Sequence, residues 1–224
     1  MEAIIFDMDG VIVDSEPIWI EARQSVLREQ GIIVPDLYHY QLCGTTLEYM
    51  WSRMKNDFDL PFSLEDCILR GEEKRHKLLE SNPTKPINGV IDFIRTIYKT
   101  GIPVVIASSS ASMEIERVIE ELNIRKYFKE LVSGQDCRNS KPFPDVFLRA
   151  AKTINVNPNE VLVIEDSTNG VKAAKAAGMT CLAFQNQEFI KQDLSMADGV
   201  FSDFSELAVE EYDSNVAITI MASK

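Results

Sequence analysis

Short apolar runs separated by helix-length amphipathic stretches set the rhythm of this chain. Ala3-Ile4-Ile5 leads into Phe6-Asp7-Met8-Asp9-Gly10, and later come Val104-Val105-Ile106-Ala107, Leu131-Val132 and Val161-Leu162-Val163-Ile164. Runs this short, rich in Ile and Val and lacking polar alternation, predict strands buried on both faces, as in a parallel sheet. From about residue 85 the pattern predicts helix 89–100, strand 103–107, helix 111–122, strand 131–133, helix 144–154, strand 161–164, helix 168–177 and strand 180–184. Asn88 and Gly101 fit the two caps of the first of these helices, and Gly178 closes the last. Ile115, Val118, Ile119 and Leu122 recur at helical spacing and form one apolar face. Strands alternating with helices imply an α/β fold with helices on both sides of a parallel sheet.

Residues 15–84 break that rhythm and read as helical throughout. One helix covers 16–30 and stops at Gly31, with Ile18, Ala22 and Val26 on a stripe; another covers roughly 46–56. A third begins at Ser63, with Asp66 as a capping-box-like partner, and ends before Asn82-Pro83. The block is therefore an insertion after the first strand, with crossing points near 13–16 and 82–88. The apolar, β-branched segment 216–221 follows an acidic stretch, and both an edge strand and a packed tail are compatible with it.

Composition narrows the class. A chain of 224 residues, 45% hydrophobic, buries a substantial core. Its net charge of −12 argues against nucleic acid or an anionic membrane as main partner. The four cysteines, Cys43, Cys67, Cys137 and Cys181, are widely spaced without a Cys-x-x-Cys pair, as expected of reduced thiols in a cytosolic protein. His39 and His76 form no metal-ligand spacing. The start of the chain reads as a strand, not a signal or transit peptide, and no apolar stretch is long enough to span a bilayer. A cytoplasmic protein is expected.

Polar residues gather just after the strands, where open α/β sheets bind ligands. Asp7 and Asp9, spaced i, i+2 at a strand end, can face one site, and two adjacent acids are unfavourable unless one is protonated or a cation sits between them. Mg²⁺ beside a phosphate is the commonest such case, although a solvated turn closed by Gly10 would use the same residues. The second strand delivers Ser108-Ser109-Ser110 before a helix start, a place that binds anions. Ser110 or Ser112 is expected to cap that helix. The third leads to Asn139-Ser140-Lys141-Pro142, with the proline holding Lys141 out of a helix, and the fourth ends in Glu165-Asp166-Ser167. A lone lysine is by itself most often a solvated surface group. Together these segments form an inventory for phosphate and metal.

In order and spacing, the four segments resemble the signature motifs of the haloacid dehalogenase superfamily. The string Asp7-Met8-Asp9-Gly10-Val11 with Asp14-Ser15-Glu16-Pro17-Ile18-Trp19 resembles its β-phosphoglucomutase-like branch, within it sugar-phosphate phosphatases of the 2-deoxyglucose-6-phosphate type. The resemblance implies a Rossmann-like parallel-sheet core at 1–14 and 85–224, with a helical cap domain at 15–84 inserted after the first strand. It implies a Mg²⁺-dependent phosphatase acting on small sugar or polyol phosphates, with Asp7 as nucleophile forming an aspartyl-phosphate. Asp9 would be the general acid and base, and would offer its main-chain carbonyl to the metal; the dehalogenases have no acid there. Ser108, then Ser109, would bind phosphate, and Lys141 would stabilise charge on the nucleophile and phosphoryl group. Asp166 would be the second carboxylate metal ligand, while Glu165 could be a direct ligand, a water-mediated one or a supporting group. In the cap, Gly44, Thr45 and Thr46 match a specificity loop, although helix capping explains the threonines equally well. Leu47 stands where a β-phosphoglucomutase has an arginine for a second phosphate, and Trp19 where it has a histidine, which puts mutase activity in doubt. A phosphonate hydrolase would need a cap lysine, and Lys55 and Lys77 look solvated. A monomer is expected. The remaining alternatives are a β-phosphoglucomutase and a catalytically silent binding or regulatory module.

Overall fold

The computed structural model describes residues 1–42, 46–187, 192–212 and 215–221. The chain divides into two compact units, Met1–Asp14 with Lys85–Lys224, and Ser15–Thr84. It opens with β1 (Ala3–Phe6), every residue of which is buried. The second unit follows, with α1 (Glu16–Arg28), α2 (Asp36–Tyr40), α3 (Leu47–Phe58) and α4 (Leu64–Ser81). The first unit then resumes with α5 (Val90–Lys99), β2 (Val104–Ser108), α6 (Ser112–Glu121), β3 (Glu130–Ser133), α7 (Asp145–Ile154), β4 (Val161–Glu165), α8 (Thr168–Ala176) and β5 (Thr180–Phe184). Last come β6 (Gly199–Phe201), β7 (Leu207–Tyr212) and β8 (Asn215–Ile220).

Six strands form one parallel sheet in the order β3-β2-β1-β4-β5-β6. This is the expected Rossmann-like α/β class. Side-chain alternation along β1 sends Ile4 and Phe6 to one face and Ala3 and Ile5 to the other. On the first face lie Ile94 and Ile97 of α5 with Ile115 and Ile119 of α6; on the second, Phe147 of α7 and Val171 of α8. Strands covered on both faces have no solvated side, so they are apolar without interruption.

Several boundaries differ from expectation. The N-cap of α5 is Gly89 at φ +76°, not Asn88, because the chain turns there with Phe204 packed against it. The segment 216–221 is settled as a strand: β8 pairs antiparallel with β7, and Ile218 and Ile220 pack on the first core face. α2 and β6 were not anticipated, being only five and three residues long.

The helical unit has its own core, built on Val26, Leu27, Met50, Trp51, Met54 and Cys67. Gly71 of α4 lies against the Trp51 indole, where a β-carbon would overlap the ring. Ser63 caps α4 as the spacing predicts, accepting from Asp66 N–H at 3.0 Å and donating to Asp66 Oδ2 at 2.9 Å. Lys55, expected to be solvated, instead donates to the carbonyls of Leu60 (2.9 Å) and Phe62 (2.6 Å), closing the turn after α3. Lys77 is exposed. Among the described residues no helix is long and apolar enough to cross a membrane.

Candidate active site

β1 and β4 lie side by side with Phe6 opposite Ile164, and the Asp7 N–H donates to the Ile164 carbonyl at 2.9 Å. This pairing sets Asp7, just past β1, beside Glu165, the last residue of β4, and Asp166. The loop before α7 adds Lys141, whose Nζ donates to Asp7 Oδ1 at 2.6 Å and Glu165 Oε1 at 2.7 Å. That loop is a turn outside any helix, with a cis Lys141–Pro142 bond, and Asn139 anchors it through two hydrogen bonds to Asp145 Oδ1. Only 8% of the lysine side chain is exposed, and its ammonium sits 4.8 Å from the centroid of the Phe147 ring.

Two glycines make room for these acids. Gly10, at φ +80°, lies where a β-carbon would overlap the Asp166 carboxylate. Gly170, in the first turn of α8, lies where one would overlap Glu165. The missing side chain at Gly170 is the space the Glu165 side chain occupies.

The charges do not balance. One carboxylate oxygen each from Asp7, Glu165 and Asp166 lie within 4.8 Å of one another, with Lys141 the ammonium among them. Burial pushes the Asp7 carboxyl up to about 7; Lys141 opposes this, while the charges of Glu165 and Asp9 add to it. Asp166 is raised well above the usual range by burial and then by Glu165 and Asp7. Burial pulls the Lys141 ammonium down, but the charges of Asp7 and Glu165 outweigh it and hold the lysine protonated. The donor set is hard oxygen only, with an excess of negative charge, which fits Mg²⁺.

The acids differ in how far they are already engaged. Glu165 accepts from Lys141 on Oε1, and on Oε2 from Asp166 N–H, Ser167 N–H (both 2.7 Å) and Ser167 Oγ (3.0 Å). Among the described residues, Asp7 Oδ2 and both oxygens of Asp166 accept no hydrogen bond. Those are the carboxylate oxygens of the cluster that no described residue engages. Asp9 stands outside this cluster, facing β2: its Oδ2 accepts from Ser110 Oγ at 2.7 Å, with Ser108 Oγ at 3.4 Å.

A family model for the haloacid dehalogenase-like hydrolases matches residues 4–184, spanning all four strand-end segments. The chain belongs to that family. A phosphorylated carbohydrates phosphatase of Thermotoga maritima is 33% identical over 183 residues, covering 80% of this chain and 82% of the relative. Hexitol phosphatase B of Escherichia coli (strain K12) is 29% identical over 217 residues, covering 93% and 95% respectively. The crystal structure of a putative β-phosphoglucomutase from Thermotoga maritima superposes with a TM-score of 0.75 at 28% identity, covering 90% of this chain and 94% of that one. Within the family the chain is a phosphoric monoester hydrolase.

The hydrolase fold thus gathers Asp7, Asp9, Lys141, Glu165, Asp166 and Ser108 at the carboxyl ends of β1, β2 and β4. Ser108 is buried at the end of β2 and Ser109 is exposed. Thr46 is exposed and caps α3 by accepting from Tyr49 N–H at 3.2 Å. Gly44 and Thr45 lie outside the described residues. Ser110 or Ser112 was expected to cap α6, yet the N-cap is Ala111, without a side-chain bond; Ser112 is the first residue of the helix and the Ser110 hydroxyl goes to Asp9. Phe147 and Ser133 also escaped the sequence reading. Phe147 shows in the sequence only as one apolar residue of an amphipathic helix, and Ser133 as one small residue at a strand end.

Proposed function

We propose that this hydrolase is a Mg²⁺-dependent phosphatase that cleaves small sugar or polyol phosphate monoesters through an aspartyl-phosphate on Asp7. The observation that carries this is the buried Asp7–Lys141–Glu165 chain beside an Asp166 carboxylate to which no described residue donates. Asp7 Oδ2, the Asp9 main-chain carbonyl and Asp166 would hold Mg²⁺. When bound, the ion supplies positive charge to the crowded carboxylates and to the phosphoryl oxygens.

The chain's own residues divide the remaining chemistry. Asp7 attacks phosphorus, turning one slow displacement into two easier ones. Lys141 keeps the nucleophile ionised and faces the charge that builds on the phosphoryl group. Glu165, with both oxygens engaged, holds Lys141 in place and supports the metal site from behind. Asp9 gives a proton to the departing alkoxide and later takes one from the attacking water. Ser108 and Ser109 bind the phosphate at the N-terminal end of α6.

In this reading Ser15–Thr84 is the substrate-selecting cap domain, with Gly44, Thr45 and Thr46 as specificity residues, inserted into the catalytic domain 1–14 and 85–224. The enzyme acts as a cytoplasmic monomer, without nucleic acid or membrane partners. Leu47 in place of an arginine favours a substrate with one phosphate over a β-phosphoglucomutase substrate.

Turnover of p-nitrophenyl phosphate and a panel of hexose, deoxyhexose, hexitol, glycerol and nucleoside monophosphates tests the reading. Release of phosphate should require Mg²⁺, stop with EDTA, and fall by on the order of 10⁴-fold or more in Asp7→Asn. Metal-independent release, or an active Asp7→Asn, would refute it. Isomerised hexose phosphate without free phosphate would establish a mutase, and no turnover at all a silent binding module.

A further inference from the structure

We propose that Ser110 is a positioning residue for Asp9: its hydroxyl holds one carboxyl oxygen so that the other delivers the proton to the leaving group. The inference rests on the phosphatase reading above. Ser110 Oγ donates to Asp9 Oδ2 at 2.7 Å, the ordinary length of an O–H···O hydrogen bond, and bridges 101 positions of chain. Among the described residues Asp9 Oδ1 accepts no hydrogen bond. With Oδ2 fixed as an acceptor, the acidic proton is left to Oδ1.

The serine is itself held in place. Its N–H donates to Ser108 Oγ at 3.0 Å, and its carbonyl accepts from Ser133 Oγ at 2.7 Å. Ser133, 2% exposed at the end of β3, is oriented in turn by Gln135 N–H at 3.1 Å. Behind this turn stands Gly134, where a β-carbon would come within 3.2 Å of the Ser108 carbonyl oxygen. A serine just before a helix ordinarily caps it. Here α6 starts from Ala111 with no side-chain cap, and the neighbouring hydroxyl is turned to the acid instead.

Proton delivery matters in proportion to the basicity of the leaving oxygen. As the P–O bond breaks, its electron pair goes to the bridging oxygen, which takes the proton from Asp9 Oδ1, leaving Asp9 a carboxylate. A sugar or polyol alkoxide needs that proton. A p-nitrophenolate, stable as an anion near neutral pH, leaves without it. Loss of Ser110 should therefore discriminate between the two ester types, whereas loss of a phosphate-holding group would not.

The experiment compares kcat and KM for p-nitrophenyl phosphate and for the best alkyl phosphate of the panel, at saturating Mg²⁺. In Ser110→Ala, kcat for the alkyl ester should fall about 10- to 100-fold further than kcat for the aryl ester, a part of the general-acid contribution. KM should change less than about twofold for both, and Ser110→Thr, which keeps the hydroxyl, should recover most of the alkyl-ester rate. Equal losses on the two esters, a rise in KM with kcat preserved, or no recovery in Ser110→Thr would overturn the proposal. A wild-type enzyme that turns over neither ester overturns the phosphatase reading and this inference with it.

Discussion

Both units bury charge, and the two clusters make an instructive pair. In the helical unit Arg23, 2% exposed, donates to Glu16 Oε1 at 2.7 Å and to the Met50 sulfur at 3.2 Å. Beside it, Gln24 accepts from Val34 N–H, donates to the Ile32 carbonyl, and lies 3.1 Å from His39 Nε2. There the Arg23 cation meets the Glu16 anion, although Arg23 Nε is buried without a hydrogen-bond partner among the described residues. At the carboxyl end of the sheet, one ammonium is set against three clustered acids. Buried polar groups must be paired in any fold, so burial of charge is not by itself the mark of a site. The unbalanced cluster is the one that calls for a further positive charge.

Three outcomes would break or sharpen this contrast, beginning with the largest. Lys141→Met removes the protein's own cation from the acid cluster, and should lower kcat by on the order of 10³-fold at saturating Mg²⁺. A variant retaining more than about a tenth of the wild-type rate would show that the lysine is structural only.

Next, Gly170→Ala should push the Glu165 carboxylate aside and shift Lys141 with it. A misplacement of about 1 Å costs roughly 10²-fold in turnover. Steady-state kinetics, with far-UV circular dichroism to verify folding, decide this; unchanged kcat would mean that Glu165 relaxes without disturbing the site.

The smallest effect belongs to the balanced cluster. Burial first, then the Arg23 charge, depresses the His39 pKa to about 4, with Asp36 opposing. The unfolded chain titrates near 6.5, so between those values it binds more protons than the folded one. Stability is therefore full above about pH 6.5 and falls as pH drops toward 4, by about 2 kcal/mol between pH 7 and pH 5. Both tryptophans, Trp19 and Trp51, lie in the helical unit, so urea unfolding followed by their fluorescence reads this unit directly. His39→Gln should flatten the dependence in that window. An equal slope in the variant would assign it to carboxylates instead.

The parallel sheet was legible because its strands are covered on both faces, so Val104–Ser108 and Val161–Glu165 are apolar whatever their neighbours. β7 was not legible, since Leu207–Tyr212 carries two glutamates and becomes a strand only by pairing with β8. α2 is a single turn and a half, too short to show a period. At the site, acids, lysine and serines could be read from strand ends, because side chains just past parallel strands share one edge. Their division of labour could not. Glu165 and Asp166 are adjacent in sequence, yet one is engaged on both oxygens while the other accepts nothing from the described residues.

The chain's own order of apolar and polar residues determined β1 to β5, the inserted helical block and the family to which this hydrolase belongs, because each is a local pattern. Tertiary structure alone decided that Lys141 reaches Asp7 across 134 positions and that Ser110 serves Asp9 instead of its helix. A hydroxyl or an ammonium has several partners of similar local worth, and only the packed sheet fixes which of them lies within bonding distance.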